Sequence, residues 1–133
     1  PWNTHLTANI SFGQGMTATM LQVANAYAVL ANGGVLKKPF IVEKVRNVET
    51  GEVEEFEPET VRRVLTPHEA ESMRMILTAV TQKDGTGYTA RVPGFQVAGK
   101  TGTAQKARMD GRGYETGAYI PSFAGMIPAH KPE

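Results

Sequence analysis

The chain has no cysteine at all. Disulfides and thiolate metal centres are therefore excluded, and thiol usage says nothing about the redox compartment. Long hydrophobic runs are also missing, and none approaches the roughly 20 residues that a membrane-spanning helix needs. An excess of charge of one sign is absent too, with Lys+Arg 14 against Asp+Glu 13. That balance gives no reason to propose a nucleic acid as partner. The three histidines, His5, His68 and His130, are too widely spaced for a metal-ligand pattern. His68 follows Pro67 in the first turn of an expected helix and is read as a solvated residue. Gly85-Thr86-Gly87 lacks the G-x-x-x-x-G-K-[ST] spacing of a phosphate-binding loop and is expected to join a helix to a strand.

What is present is an ordinary globular composition, with 41% hydrophobic and 20% charged residues over 133 positions. Length allows one small domain near the lower limit for a self-sufficient core. Charge is unevenly placed. Glutamates crowd the stretch from Glu43 to Glu59, whereas Lys100, Lys106, Arg108 and Arg112 gather in the last third. A local basic face suits a carboxylate-bearing ligand, although solvated charge is the commoner reason for such a cluster. Both ends read as cuts in a longer protein.

Two helices announce themselves. Thr19 followed by Gln22 is a capping box, Leu21, Ala24, Ala28 and Ala31 recur at helical spacing, and Asn32-Gly33-Gly34 supplies the stop. The alanines predict a well-buried helix. Thr66 with Pro67 and Glu69 is a second N-terminal signature. Met73, Ile76, Leu77 and Val80 form its expected apolar stripe, ended by Asp84-Gly85-Thr86-Gly87. Met16, Met20, Met73 and Met75 are expected in or near the core. Pro1 to Met16 shows no clear period, and Ser11 to Gly15 reads as a loop that fixes how the chain enters the first helix. Phe40 to Val45 predicts a strand, turned at Glu49 to Glu52 into a second one around Val53 to Phe56, an acidic surface hairpin. Phe95 to Ala98 leads as a strand into Lys100-Thr101-Gly102-Thr103-Ala104-Gln105. A polar connection from Met109 to Gly117 then returns as Tyr119 to Ile127, an antiparallel hairpin.

Lys100-Thr101-Gly102-Thr103 carries the chemistry. Lysine supplies a fixed cation. Along a strand Thr101 and Thr103 point to one face, and the glycine between them lets a ligand approach the backbone closely. Such an edge can hold a carboxylate and aim a backbone N–H at a developing oxyanion, an interaction worth about 3 kcal/mol in catalysis. Alone, the tripeptide Lys-Thr-Gly would be read as the polar face of a strand. Its surroundings change that reading. Val97-Ala98-Gly99-Lys100-Thr101-Gly102-Thr103-Ala104-Gln105 resembles the third active-site motif of class B penicillin-binding proteins. Ser11-Phe12-Gly13-Gln14-Gly15, Gln22-Val23-Ala24, Tyr27-Ala28, Ala31-Asn32-Gly33-Gly34, Gly85-Thr86-Gly87, Pro93-Gly94-Phe95 and Ser122-Phe123-Ala124-Gly125 resemble further segments of that family, in the same order. Phe12 favours the division type over the elongation type.

The resemblance implies an α+β fold, part of the penicillin-binding-protein and serine β-lactamase architecture, with an antiparallel sheet packed with helices. It makes residues 1–133 the C-terminal portion of one transpeptidase domain. It also implies a peptidoglycan D,D-transpeptidase working through an acyl-serine, acylated by β-lactams, and needing neither metal nor cofactor. Lys100 and Thr103 would be catalytic, with the Thr103 N–H as an oxyanion donor. Thr101, Gly102, Thr103 and Gln105 would bind the D-Ala-D-Ala stem peptide or a β-lactam. The family's S-x-x-K and S-x-N elements are not in this sequence, since none of Ser11, Ser72 and Ser122 begins either pattern. They, and a final strand, are expected in the rest of the same domain, which would be the first partner. A membrane glycosyltransferase and divisome proteins would be others, at a bacterial inner membrane with the catalytic domain outside the cytoplasm. A β-lactamase or β-lactam sensor of the same superfamily, and a non-catalytic binding module, are the competing readings.

Overall fold

A computed structural model of the chain describes residues 3–11, 13 and 15–132. Its elements run α1 (Thr4–Ser11), α2 (Met20–Ala31), β1 (Val35–Lys37), β2 (Lys44–Arg46), β3 (Val53–Glu55), β4 (Thr60–Arg63), α3 (Pro67–Leu77), β5 (Ala98–Ala107) and β6 (Tyr114–Met126). A 3-10 turn, Thr78–Thr81, continues α3, and a second, Tyr88–Ala90, precedes β5. The result is α+β, as expected, with three two-stranded antiparallel pairs among the described residues: β1 with β4, β2 with β3, and β5 with β6.

Local chemistry sets the helix starts where the sequence signals place them. The Gln22 N–H donates to Thr19 Oγ1 at 3.2 Å while Gln22 Oε1 accepts from the Thr19 N–H at 2.8 Å. At α3 the Glu69 N–H donates to Thr66 Oγ1 at 3.2 Å, and Glu69 Oε2 accepts from the Thr66 N–H at 2.7 Å. These bonds satisfy N–H groups that a helix leaves without partners. The Thr66 N–H, and after it the Thr66 hydroxyl, hold the exposed Glu69 carboxyl below its ordinary pKa. Gly34 ends the α2 segment at φ 96, and a side chain there would meet the Leu65 carbonyl oxygen at 2.1 Å. That close approach lets Val64 N–H and Leu65 N–H both donate to the Gly34 carbonyl. It ties the end of α2 to the start of α3.

The core is small. Ala98, Met126 and Ala129 are buried together, and Tyr27, Leu30, Ala31 and Leu77 pack against them. So the C-terminal half of α2 and the end of α3 clamp the base of the β5–β6 hairpin. Burial there also raises the pKa of the Tyr27 phenol. Arg74 Nη1 adds a 2.7 Å bond to the Leu30 carbonyl, joining the C-terminal ends of both helices.

Several expectations are corrected. The alanine-rich helix is not well buried: Val29 is its single buried residue, and Met20 and Leu21 are 89% and 64% exposed. Alanine spacing marks a face able to pack closely, but the described residues cover only the half that meets the hairpin. Met16, Met20, Met73 and Met75 are all exposed instead of filling the core. Met73 and Ile76 of the predicted apolar stripe face outward as well, while Ala70, Leu77 and Val80 turn inward. Residues before Met16 show no period in the sequence, yet Thr4–Ser11 is helical, started by Asn3 Oδ1 accepting from the Leu6 N–H at 2.8 Å. Ser11 thus closes a helix rather than opening a loop, and Phe12 and Gln14 lie outside the described residues. The strand expected over Phe40 to Val45 is confined to Lys44–Arg46, and β6 starts at Tyr114, earlier than Tyr119. The β1–β4 pair carries no sequence signal. Its strands have three and four residues, too short for a period of two to register.

Candidate functional site

Strand β5 carries Lys100-Thr101-Gly102-Thr103, and its register with β6 is regular through the motif: Lys100 faces Ala124, Thr101 faces Phe123, Gly102 faces Ser122, Thr103 faces Pro121 and Gln105 faces Tyr119. Alternation along a strand puts Thr101, Thr103 and Gln105 on one face and Lys100 and Gly102 on the other. The two threonines therefore share a face, as expected from their spacing.

The backbone direction follows from two contacts and one proline. The Val97 carbonyl accepts from Thr81 Oγ1 at 3.1 Å, so it points away from β6. The Thr101 carbonyl accepts from Lys100 Nζ at 2.9 Å, so it too points outward. Pro121, opposite Thr103, has no N–H to give to the ladder. In an antiparallel pair every second residue turns both its N–H and its C=O to the same side. Thr103 is in step with Val97 and Thr101, and its N–H is consequently aimed at the outer edge of β5. No described strand pairs with that edge. The Lys100 ammonium reaches the same edge by folding back onto the Thr101 carbonyl, although its Cβ starts from the opposite face.

Glycines allow the close packing behind this edge. A Cβ on Gly102 would lie 2.5 Å from Ser122 Oγ, and one on Gly99 would lie 2.6 Å from Phe123 Cζ and 2.7 Å from the Ala124 carbonyl oxygen. Phe123 thus covers Gly99 on the threonine face and fixes the twist of the hairpin just before the motif. On that face the Thr101 hydroxyl is hydrogen-bonded to the Thr86 hydroxyl at 3.0 Å. Thr86 belongs to the Gly85-Thr86-Gly87 turn, which the sequence marks only as a joint between a helix and a strand. The two flanking glycines are the available signal of this close approach, but glycines would serve any tight turn equally well.

Lys100, Thr101, Gly102 and Thr103 are brought together at one edge, then, and Thr86 is added to them. Gln105 is separate: it borders a groove of about 1420 Å³ between α2 and the hairpin, which Lys100, Thr101 and Thr103 do not line. His68 Nδ1 is 3.4 Å from Ser72 Oγ on the exposed surface of α3, far along the chain from the motif. His5 and His130 join no cluster of metal-ligating side chains among the described residues. Among the described residues no group of His, Asp or Glu could hold a metal ion, and no helix is long and apolar enough to cross a membrane.

A long antiparallel hairpin, clamped at its base by two helices, displays Lys-Thr-Gly-Thr on an edge that no described strand covers, in an α+β fold. The chain belongs to the penicillin binding protein transpeptidase domain family, whose pattern it matches over residues 1–133, and its relatives are class B members. It is 38% identical to "Penicillin-binding protein PbpB" of Mycobacterium tuberculosis over 98% of its length and 20% of that protein. It is 36% identical to "Probable peptidoglycan D,D-transpeptidase PbpC" of Pseudomonas aeruginosa, over 99% of its length and 21% of that protein. Among solved structures, penicillin binding protein 3 of Mycobacterium tuberculosis complexed with aztreonam superposes with a TM-score of 0.88 at 37% identity, over 99% of this chain and 31% of that one. The chain thus spans about a fifth of the length of the curated relatives it matches.

Proposed function

We propose that this chain is part of a serine-type peptidoglycan D,D-transpeptidase, which joins stem peptides through an acyl-serine intermediate and is acylated by β-lactams at the same serine. The observation that carries the reading is the outer edge of β5, where two threonine side chains on one face, an ammonium and an outward backbone N–H converge. The names of two relatives agree with it, one a D,D-transpeptidase and the other a structure holding aztreonam.

Each residue then has a task. The Thr101 and Thr103 hydroxyls donate to the terminal carboxylate of a D-Ala-D-Ala stem peptide, or to the carboxylate of a β-lactam. Gly102, without a side chain, lets that ligand lie against the strand. The nucleophilic serine attacks the carbonyl of the penultimate D-Ala. The electron pair of the carbonyl moves to oxygen, and the Thr103 N–H stabilises that oxyanion as one of two donors. Collapse expels the terminal D-Ala, whose nitrogen takes up a proton. An amine of a neighbouring stem peptide then attacks the ester and releases the serine. Lys100 provides positive potential and a hydrogen bond near the second-motif serine, and Gln105 borders the groove. The nucleophile and the S-x-N element belong to other parts of the same domain. The exposed apolar residues of α2, including Met20 and Leu21, are positioned to pack against those parts. By itself the chain is inactive.

The parent protein is assigned to the outer side of a bacterial inner membrane, in septal wall synthesis, with a membrane glycosyltransferase and divisome proteins as partners. Fluorescent penicillin labelling of the full-length protein, followed by peptide mapping, tests the reaction. A single labelled serine outside these 133 residues is the expected result. Label on Ser11, Ser72 or Ser122 would refute the placement of the nucleophile. Rapid hydrolysis of the drug would favour a β-lactamase, and no label at all a binding module.

A further inference from the structure

The Gly85-Thr86-Gly87 turn does more than join two elements. A Cβ on Gly85 would lie 2.3 Å from the Val80 carbonyl oxygen, so only glycine fits there. Gly85 N–H donates to the Gln82 carbonyl and Gly87 N–H to the Val80 carbonyl, both at 2.9 Å. Asp84 enters the turn at φ 69, a conformation that most side chains disfavour. A Cβ on Gly87 would touch Phe123 at 3.1 Å and the Thr101 methyl at 3.5 Å. The turn is thus folded tightly on itself and pressed against the threonine face of β5. Its one side chain between the glycines ends in a hydroxyl 3.0 Å from that of Thr101.

A threonine hydroxyl has one proton to donate and two lone pairs to accept with. With no ligand at the edge, the Thr101 proton can go to Thr86. When an anionic oxygen arrives, Thr101 must turn its proton outward, and its own oxygen is then free to accept from Thr86. Resting on the transpeptidase reading above, we propose that Thr86 is a positioning residue for carboxylate recognition: it donates to Thr101 Oγ1, fixes that side chain's rotamer and polarises the Thr101 hydroxyl toward the ligand. Hydrogen bonds in series strengthen one another, and a held rotamer removes an entropic cost at binding.

The test is a double-mutant cycle on the full-length protein, read as the second-order rate of acylation by fluorescent penicillin. Thr86→Val keeps the shape and loses the hydroxyl, and it is expected to slow acylation about tenfold, the effect of one neutral hydrogen bond. Thr86→Ser keeps the hydroxyl and should stay within about twofold of the parent. On a Thr101→Val background, adding Thr86→Val should change the rate by less than about twofold, because the relay has already lost its second member. Should Thr86→Val fail to fold, Thr86→Ala carries the same cycle. An unslowed Thr86→Val, a Thr86→Ser as slow as the valine, or an undiminished loss on the Thr101→Val background would each overturn the proposal while the parent still labels. A parent protein that takes up no penicillin overturns the transpeptidase reading, and this one with it.

Discussion

The chain contains two hairpins of the same topology and opposite character. The hairpin of β5 and β6 has strands of 10 and 13 residues; that of β2 and β3 has strands of three residues each. In the first, Ala98 and Met126 are buried under α2 and α3, and glycines bring Phe123 onto the backbone. In the second, every strand residue is exposed, and nearby Ile41 and Val48 are 100% and 93% exposed. Its order comes from the turn: Asn47 Oδ1 accepts from the Glu49 N–H at 2.9 Å, and the Gly51 N–H donates to the Asn47 carbonyl. An isolated two-stranded pair is marginal in water. The contrast shows that the ladder alone does not build a site. The motif strand is anchored where helices bury its base, and the acidic strand, lacking such a cover, is held by local bonds only.

The largest effect should come from filling the packed hairpin. Gly99→Val would drive a side chain into Phe123 and the Ala124 carbonyl, and should cost about 3 kcal/mol, as overpacking does at its upper range. The thermal midpoint of the full-length protein should fall, and penicillin uptake should fall with it. Unchanged uptake would show that the β5 edge does not depend on this packing.

A matching change in the acidic hairpin should be milder. Gly51 lies at φ 77, and a Cβ added there would find nothing within 4 Å, so Gly51→Ala meets strain but no clash. A cost of about 1 kcal/mol is expected, the value of a left-handed conformation for an ordinary residue. Hydrogen exchange should speed up over residues 44–55 alone, with penicillin acylation unaltered. A loss of acylation would mean that the two hairpins are coupled and would break the contrast.

The smallest effect concerns the connection at the tip of the motif hairpin. The Arg108 guanidinium, and after it the Arg112 N–H, hold the exposed Asp110 carboxyl below its ordinary pKa of 3.8. Because the folded value is the lower one, the stabilisation is fully present above the unfolded value, near pH 4, and is lost as pH falls through the folded value. Exchange of the Arg112 amide should therefore be constant from pH 7 to about 5, once corrected for its intrinsic rate, and should rise only below about pH 4. Salt should weaken the contact, since both partners are exposed. Protection that is insensitive to acid would assign the order of this turn to its glycines instead.

Much of this is legible in order along the chain. Capping boxes at Thr19 and Thr66 depend on residues three positions apart, and those signals need no tertiary partner. The same holds for the glycine stop at Gly33 and Gly34, the alternation that puts Thr101 and Thr103 on one face, and the resemblance that points to the family. What sequence could not decide was which apolar residues become core. Leu21 and Met20 look as buriable as Ala98 and Met126, but burial is a property of what stands opposite, and only the fold brings Ala98 under Tyr27 and Leu30. Nor could it direct the Thr103 N–H to the open edge, which follows from the side of β5 on which β6 pairs. The meeting of Thr86 with Thr101 is the clearest case: the residues are 15 apart, and their hydroxyls touch because two glycines let a turn close against a strand. Short-range hydrogen bonding and side-chain periodicity are written in the sequence; contact between distant segments is settled only when the whole chain packs.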